Sequence, residues 1–394
     1  MAKKTISDID VAGKRAFVRV DFNVPFNDAG EITDDTRIKA ALLTIRNLTA
    51  RGARVILASH LGRPKGKVAE DMRLRPVARR LSELLGTGVA YADDCVGPAA
   101  ESAALALKDG EVLVLENLRF HAAEEKNEPE FARQLASLAD VYVNDAFGTA
   151  HRAHASTEGI THHLPSVAGL LMEQELAALG GLLASPRRPF ACVFGGAKVS
   201  DKIGMIRNML QRVDTVLVGG GLAATFLKAR GLEIGRSLVE TEMLEEARAI
   251  MQESERCGVP VLLPIDVVVA PEVKAGTRAR IVQVTSVPPN LAILDIGPRT
   301  IEFYFGRLQS CKTVLWNGPM GVYEIPQFSL GTRCLIDYLA CLDATTVIGG
   351  GSSVDAVQDM GVADLVTHVS TGGGATLELL ETGTLPGVEA LNDR

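Results

Sequence analysis

One repeated pattern most constrains how this chain can fold: a short apolar strand, then a polar loop, then an amphipathic helix. In the first half, the apolar segments predict strands at 15–24, 53–59, 112–115 and 141–144. This alternation predicts a parallel sheet with helices on both faces. Ligands of such sheets bind at the carboxyl ends of the strands, so the loops that follow the strands are the candidate functional segments.

The chain is long enough for two domains, because its 394 residues exceed the roughly 250 to 300 at which one hydrophobic core stops growing. Leucines at helical spacing predict a helix from position 169, ended by Gly180 and Gly181. We therefore expect an α/β fold of two doubly wound, Rossmann-like parallel-sheet domains, at 1–168 and 186–381. The interdomain helix at 169–185 is equally well interpreted as a hinge or as a rigid connector, with a substrate cleft between the domains.

Basic residues lie in the loops near the strand ends of the first half. The set comprises Arg37, His60, Arg63, Arg119, His151 and Arg152. One such arginine alone is best interpreted as a solvated surface residue, but several at strand ends indicate a common site. Converging guanidinium groups bind a phosphate or carboxylate through bidentate hydrogen bonds. Asp21 and Asn23 add groups that bind hydroxyls or orient an arginine.

Glycine clusters take the place of these basic residues in the second half. The predicted strands at 190–194, 215–218, 291–296, 313–316, 345–348 and 365–369 end in GGAK, GGG, GPR, NGPMG, GGGSS and STGGGA. Glycine lets the backbone approach a phosphate, and the following helix N-terminus presents unpaired N–H groups. Repeated clusters favour a nucleotide site. Neither G-x-x-x-x-G-K-[ST] nor a strand-to-helix G-x-G-x-x-G is present, which argues against a P-loop kinase and a Rossmann dehydrogenase.

Composition argues against several other classes of protein. With 41 basic and 48 acidic residues, the net charge is −7, and aromatic residues make up only 5%, so a nucleic-acid partner is not expected. The sequence contains no predicted secretory signal or membrane span. Its six cysteines are scattered without metal-ligand spacing, so we expect no zinc site, no disulfide framework and a cytoplasmic setting.

Nine motifs together resemble the phosphoglycerate kinase family, in the family's order and across nearly the whole chain. They are RVDFNVP (19–25), DTRI (35–38), SHLGRP (59–64), LENLRF (115–120), AHRAHAS (150–156), FGGAKVSDK (194–202), VGGGLAATF (218–226), LWNGPMGVYE (315–324) and VSTGGGATLELLE (369–381). The resemblance implies a magnesium-dependent, monomeric enzyme of glycolysis and gluconeogenesis. It would transfer a phosphoryl group reversibly from 1,3-bisphosphoglycerate to ADP, giving 3-phosphoglycerate and ATP, in line after domain closure.

The resemblance also implies roles for individual residues. The phosphoglycerate site would comprise Asp21, Asn23, Arg37, His60, Arg63, Arg119 and Arg152, with His151 beside it. The nucleotide site would comprise Lys198, Lys202, Gly219, Gly220, Asn317, Glu324, Gly350, Gly351, Ser352 and Ser353. The catalytic groups would be Arg37, Lys198, Lys202, Gly350 and Gly373. The C-terminal tail, at about 382–394, would pack on the first domain.

One position departs from the family pattern. Where the family usually has an aspartate that helps to hold the metal, this chain has Ser352, with Asp355 three residues further along. The protein ligand of the metal is therefore left unknown, and we expect normal chemistry with an altered magnesium dependence.

Two alternative functions are weighed against a phosphoglycerate kinase. A binding or scaffold protein without turnover has little use for Arg37, Lys198 and Lys202, which would be aimed at the moving phosphoryl group. A kinase or ligase for another carboxylate would not need an arginine set suited to a second phosphate. No motif for a general base is present, as expected for transfer between groups that are already anions at neutral pH. The preference between ADP and GDP stays open.

Overall fold

A computed structural model describes residues 2–394 of the protein, and these residues form two compact units. The first unit comprises the chain up to Ala177 together with Thr384–Arg394, and the second unit comprises Ala178–Gly383. The division between the units falls inside the helix at Leu170–Ala184. Every helix among the described residues is too short or too polar to cross a membrane.

The first unit is built on a six-stranded parallel sheet. Its strands are β1 (Arg15–Arg19), β2 (Arg54–Ala58), β3 (Val89–Tyr91), β4 (Val112–Val114), β5 (Val141–Asn144) and β6 (Ser166–Ala168). They lie in the order β3-β4-β2-β1-β5-β6, so β1 is a central strand between β2 and β5. Four consecutive residues of β1, at 16–19, are buried, as expected for a strand covered on both faces. The observed strand Arg15–Arg19 is shorter than the strand predicted at 15–24.

Helices connect these strands and supply the rest of the core. They are α1 (Thr36–Ala50), α2 (Arg75–Leu85), α3 (Gly97–Ala106), α4 (Ala122–Glu125), α5 (Pro129–Ala136) and α6 (Leu170–Ala184). Short 3-10 helices lie at Ile6–Asp8, Glu70–Met72, Leu118–Phe120, Phe147–Thr149 and Gly159–His162. In α1, Ile38, Ile45 and Leu48 are buried and join the core of the sheet, because their spacing of seven and three residues places them on one face of the helix.

Helix α6 is longer than its sequence predicts. It continues through Gly180 and Gly181 to Ala184, so the prediction that these glycines end the helix is wrong. Glycine in a helix costs about 1 kcal/mol relative to alanine, a cost that the surrounding turns of a 15-residue helix can offset.

The segment after the second unit returns to the first unit. A short helix at Pro386–Glu389 follows Leu385, and the side chains of Leu385 and Val388 are fully buried. The backbone N–H of Ser166, at the start of β6, donates a 2.8 Å hydrogen bond to Oδ1 of Asn392. This segment therefore completes the core at the β6 edge of the first sheet.

The second unit contains a second parallel sheet and a smaller antiparallel one. Its strands are β7 (Phe190–Phe194), β8 (Thr215–Val218), β9 (Val261–Leu262), β10 (Asp266–Ala270), β11 (Arg280–Gln283), β12 (Ala292–Ile296), β13 (Thr313–Asn317), β14 (Thr345–Gly349) and β15 (His368–Val369). The parallel sheet has the order β15-β14-β13-β7-β8-β9, and the antiparallel sheet has the order β11-β10-β12.

The antiparallel sheet corrects one prediction. The strand predicted at 291–296 is present as β12, but it pairs antiparallel with β10 and does not belong to the parallel sheet. Its apolar sequence specifies a buried strand without specifying the partner. The last strand is also shorter than predicted, because a 3-10 helix occupies Ala363–Leu365.

The helices of the second unit follow the same alternation. They are α7 (Ile203–Leu210), α8 (Gly220–Ala229), α9 (Leu244–Cys257), α10 (Pro298–Leu308), α11 (Leu330–Cys341), α12 (Gly351–Asp359) and α13 (Gly374–Thr382). Further 3-10 helices lie at Thr241–Met243, Val284–Ser286 and Pro326–Phe328. Trp316 of β13 is fully buried in the core of this unit, together with Ile336 and Ile348.

The packing of the C-terminal segment leads to a stability prediction. We expect Leu385→Ala to destabilise the first unit by about 2–5 kcal/mol, because it leaves a cavity in a fully buried site. Hydrogen exchange of the β5 amides measures this unit, whereas fluorescence of Trp316, the single tryptophan, measures the second unit. Leu365→Ala, at a side chain that is 62% exposed, is the matched control. Unchanged protection of β5 in Leu385→Ala would contradict the prediction.

Candidate active site

The candidate substrate site lies at one edge of the first sheet. Neighbouring strands deliver its residues: β1 precedes Asp21 and Asn23, β2 precedes His60, β4 precedes Arg119, and β5 precedes His151. Because the strands are parallel, their carboxyl ends share one edge, which is the edge at which such sheets bind ligands. The fold thus brings together segments that are far apart in sequence.

Gly62 connects two of the predicted residues. Its backbone N–H donates a 2.9 Å hydrogen bond to Oδ1 of Asn23, and its carbonyl accepts a 2.9 Å hydrogen bond from Nη1 of Arg119. Arg119 is buried, and its Nε lies 3.2 Å from Oε1 of Glu125. The Arg119 guanidinium is therefore held in place before any ligand binds.

The remaining predicted basic residues are more exposed. Arg37 forms an ion pair with the Asp21 carboxylate, and Arg63 is an exposed neighbour of Gly62. Nε of Arg152 donates a 3.2 Å hydrogen bond to Nε2 of His151. These side chains have room to reorient towards a ligand.

Arg19 is a site residue that the sequence analysis missed. Its side chain is fully buried at the end of β1, where Nε donates a 2.9 Å hydrogen bond to Oγ of Ser156 and a second nitrogen donates to the carbonyl of Val20. Nη2 of Arg19 lies 3.2 Å from Nδ1 of His60. An arginine inside an otherwise apolar strand was the signal in the sequence that could have identified it.

A buried carboxylate, Glu124, compensates part of this positive charge. Glu124 accepts hydrogen bonds from the backbone N–H and the hydroxyl of Ser156, at 2.9 and 2.5 Å. Burial raises the pKa of Glu124, while Arg19 and the Ser156 hydrogen bonds lower it. Arg19, Ser156 and Glu124 therefore form one buried polar network beneath the site.

The histidines of the site are neutral bases in a positive field. Burial lowers the pKa of His60 well below its ordinary value, and Arg19, Arg119, Arg37 and Arg152 lower it further. Because Arg19 can only donate, Nδ1 of His60 accepts and the proton lies on Nε2. The Nε2–H group of His60 is therefore a donor suited to an anionic ligand.

The pKa values of two further histidines are also lowered. Burial, followed by Arg152, lowers the pKa of His151. Burial, followed by Arg119 and Arg19, lowers the pKa of His154, a residue missed by the sequence analysis, to about 4. The positive charge of the site therefore comes from its arginines.

Glycine loops form the corresponding edge of the parallel sheet in the second unit. Gly195 and Gly196 follow β7, Gly219 to Gly221 follow β8, Gly318 follows β13, and Gly350 follows β14. A Cβ atom at Gly220, which has φ of +63°, would lie 2.7 Å from the backbone nitrogen of Gly196. Only glycine fits there, so the two loops approach each other as closely as their backbones allow.

Lys202 and Asn317 meet beneath these loops. Nζ of Lys202 donates to Oδ1 of Asn317, and both side chains are buried. Desolvation by burial lowers the pKa of Lys202 to about 8. Among residues 2–394, Nδ2 of Asn317 is a buried donor without a hydrogen-bond partner, and an anionic ligand would supply one.

The other predicted nucleotide residues lie around these two. Lys198 is exposed and lowers the pKa of Glu240, although burial and the hydrogen bonds to Glu240 act on that carboxyl more strongly. Ser353 is buried, and its hydroxyl accepts a 2.7 Å hydrogen bond from the backbone N–H of Gly318. Gly373, with φ of +51°, precedes α13, and Gly351 begins α12.

A cavity of about 480 Å³ opens between the glycine loops and the antiparallel sheet. It brings together Gly220, Glu324 and Ser352 of the predicted set, and apolar groups that the sequence analysis missed line the rest. These groups are Leu238, Val273, Ile293, Leu294 and Val322. An apolar pocket beside phosphate-type loops fits a nucleoside. It could not be predicted from the sequence, because the lining residues share no periodic pattern.

These features define a class of protein: an α/β phosphotransferase with a basic site on one unit and a nucleotide-type site on the other. A sequence model described as Phosphoglycerate kinase matches residues 6–383. The phosphoglycerate kinases of Moorella thermoacetica and Pelotomaculum thermopropionicum are 58% and 57% identical, with full coverage of both chains. This chain therefore belongs to the phosphoglycerate kinase family, and it is a kinase.

Solved structures agree with this assignment. The structure of phosphoglycerate kinase from Coxiella burnetii has a TM-score of 0.90 and 40% identity, and covers 98% of each chain. The crystal structure of phosphoglycerate kinase from Pyrococcus horikoshii has a TM-score of 0.86 and 36% identity, with the same coverage.

The buried position of His60 leads to a prediction about pH. Because its pKa in the folded protein lies well below 6.5, we expect the His60 ring to be neutral at pH 6.5, where an ordinary histidine is half protonated, as measured by NMR of labelled histidine. As the pH falls through 6.5 the unfolded chain takes up this proton and the folded chain does not, so His60 lowers stability at acid pH. His60→Gln assigns the resonance, and a His60 midpoint close to 6.5 would contradict the prediction.

Proposed function

We propose that this protein transfers a phosphoryl group reversibly from 1,3-bisphosphoglycerate to ADP, giving 3-phosphoglycerate and ATP in glycolysis and gluconeogenesis. The observation that carries the proposal is the pairing of a basic site on one sheet edge with a desolvated lysine under glycine loops on another. The two sites are complementary, since one suits a small phosphorylated carboxylic acid and the other suits a nucleotide.

The first unit binds the phosphoglycerate in this proposal. Arg63, Arg119 and Arg152 bind the phosphate that is not transferred, and the Nε2–H group of His60 donates to the same ligand. Asp21 and Asn23 bind its hydroxyl group. Support comes from the buried arrangement of Arg119 and the neutral state of His60.

The second unit binds the nucleotide. The apolar cavity holds the base, and Glu324 at its rim binds the ribose. The phosphates lie along the glycine loops, which include Gly219, Gly220, Gly350 and Gly351, and at the start of α12 with Ser352 and Ser353. Lys198, Lys202 and Asn317 donate to phosphate oxygens, and the unpartnered Nδ2 of Asn317 supports this assignment.

The transfer needs no general base, because the attacking oxygen already belongs to a carboxylate or a diphosphate. What it needs is in-line placement and compensation of charge on the moving phosphoryl group. Arg37 leaves its ion pair with Asp21 and binds that group, as do Lys202 and the backbone amides at Gly350 and Gly373. Water has to be excluded during the transfer, because it would otherwise hydrolyse the acyl phosphate.

The site is compatible with magnesium bound mainly through the nucleotide phosphates. Ser352 is exposed at the cavity and offers a hydroxyl oxygen, a hard ligand of the type that magnesium accepts, and Asp355 lies one turn further along α12. A magnesium ion held there would neutralise negative charge on the phosphates. With a neutral protein ligand, the metal would be held more weakly than by a carboxylate.

We extend the proposal to a cytoplasmic monomer with small-molecule partners only, consistent with the net charge of −7.

The kinase reaction is tested by trapping its acyl phosphate. Incubation with ATP, magnesium and 3-phosphoglycerate in hydroxylamine should yield hydroxamate, and glycerate should yield far less because it lacks the phosphate that the arginines bind. Lys202→Ala should lower kcat by about 100-fold or more, since it removes a buried donor to the transferring group. Arg119→Ala should reduce the difference in the rate of hydroxamate formation between 3-phosphoglycerate and glycerate.

An exposed arginine outside the site provides the control. Arg133 forms an exposed ion pair with Glu130, so Arg133→Ala should leave the rates unchanged. Binding of both ligands without hydroxamate formation would favour a binding protein that lacks turnover. Equal rates with 3-phosphoglycerate and glycerate would contradict the assignment of the arginines.

Ser352 generates a separate prediction about the metal. Ser352→Asp should lower the magnesium concentration needed for half-maximal activity by roughly tenfold, because it adds a charged ligand. Ser352→Asn, which adds a neutral oxygen of similar size, is the matched control. A magnesium requirement that is the same in the parent and Ser352→Asp would show that this position does not control metal binding.

A further inference from the structure

Three metal-ligating side chains meet in the first unit, away from the residues proposed to bind phosphoglycerate. Asp94 and Cys95 lie in the loop between β3 and α3, and His121 directly precedes α4. One ligand atom from each of the three lies within 4.8 Å of the other two. Nε2 of His121 is 2.7 Å from Oδ1 of Asp94. His121 follows Asp94 by 27 residues, so the sequence contains no recognisable metal motif. The prediction of no zinc site was based on sequence spacing alone.

We propose that Asp94, Cys95 and His121 form a binding site for a borderline-soft divalent transition metal, with zinc as the preferred ion. A thiolate, an imidazole and a carboxylate are the three donor types that zinc takes in proteins. Magnesium prefers oxygen ligands, so this site differs in chemistry from that of the nucleotide metal. Three protein ligands leave a fourth position of the tetrahedron for water.

The surroundings orient these ligands. The backbone N–H of Cys95 donates a 2.7 Å hydrogen bond to Oδ1 of Asp94, and the His121 ring packs on Phe131 with centroids 5.2 Å apart. Such contacts fix the direction of first-shell ligands. Cys95 is fully buried, whereas the side chains of His121 and Asp94 are 33% and 46% exposed, so the ion can enter from the solvent side.

The local charge also favours a cation. The carboxylates of Asp94, Glu124 and Glu116 act on the buried Cys95 side chain and make its surroundings negative. A divalent ion supplies the missing positive charge, and the thiol releases its proton to solvent when the metal–sulfur bond forms. The His121 and Asp94 atoms must separate from 2.7 Å to roughly 3.3 Å to share a tetrahedral ion, which partly exposed side chains can do.

An ordinary ion pair between His121 and Asp94 is the competing interpretation, and the chain contains a matched case. His162 and Glu158 form a pair with the same 2.7 Å distance, and His162 belongs to no metal-ligating group among residues 2–394. A bound metal would link the loop at 92–96 to the segment at 118–125. It should therefore stabilise the first unit, whereas the ion pair alone should not respond to metal.

Cobalt is the probe, because thiolate coordination gives it a charge-transfer absorption band that an ion pair cannot give. The reduced full-length protein, free of other metals, is titrated with Co²⁺ and then with Zn²⁺. We expect one equivalent of Co²⁺ to give the band and Zn²⁺ to abolish it by displacement. Zinc at about 100 times its Kd should raise the Tm of the first unit by roughly 5 °C or more.

Variants separate the site from adventitious binding. Cys95→Ser, His121→Gln and Asp94→Asn should lose both the band and the zinc-induced shift in Tm. His162→Gln and Cys257→Ser, the second at an exposed cysteine, should keep both. All five variants should retain the parent kcat with 3-phosphoglycerate, because none of these residues is placed in the active site.

The proposal is overturned if stoichiometric Co²⁺ gives no charge-transfer band, or if the band survives in Cys95→Ser. Cys95 is buried, so circular dichroism checks whether Cys95→Ser folds, and an unfolded variant is set aside. In that event His121→Gln and Asp94→Asn decide the question, since both change partly exposed side chains. Loss of the band in both supports the site, and retention in either overturns it.

Discussion

The burial of Arg19 is the constraint on which the first unit depends. A guanidinium group taken out of water costs several kcal/mol unless hydrogen bonds and an opposite charge compensate it. Arg19 ends the central strand β1, and its compensation comes from Ser156, Val20 and the nearby Glu124. These groups belong to separate segments, so satisfying one buried charge fixes how several loops meet at the edge of the sheet.

The same charge sets the chemistry of the site above it. Arg19 acts on His60 both as a hydrogen-bond donor and as a positive charge, so the imidazole stays neutral and presents its Nε2–H group. An arginine cannot lose its proton in a protein, whereas a histidine can. A site whose charge comes from arginines therefore keeps its affinity for anions over a wide pH range, as a phosphorylated substrate requires.

Much of the fold and of the candidate site could be predicted from the sequence. Strands of a parallel sheet are apolar throughout, so β7 was found at its observed bounds, and polar loops at strand ends indicated Arg119 and His60. What could not be predicted depends on partners distant in sequence. Nothing in 291–296 specifies antiparallel pairing with β10, and the glycines at 180 and 181 did not end α6. The compensation of Arg19 and the apolar cavity likewise appear only when remote segments meet.

The two units solve opposite electrostatic problems with the same fold. In the first unit, buried positive charge is compensated in advance by Glu124, so the site is preorganised. In the second unit, Lys202 donates a hydrogen bond to the neutral side chain of Asn317, and desolvation lowers its pKa to about 8. At pH 7 such a lysine is still mostly protonated, and an anionic phosphate would restore the lost stabilisation and raise its pKa again. Under the proposed function, the cost of burying Lys202 is therefore recovered when phosphate binds, which links the unpartnered amide of Asn317 and the desolvated lysine to nucleotide affinity.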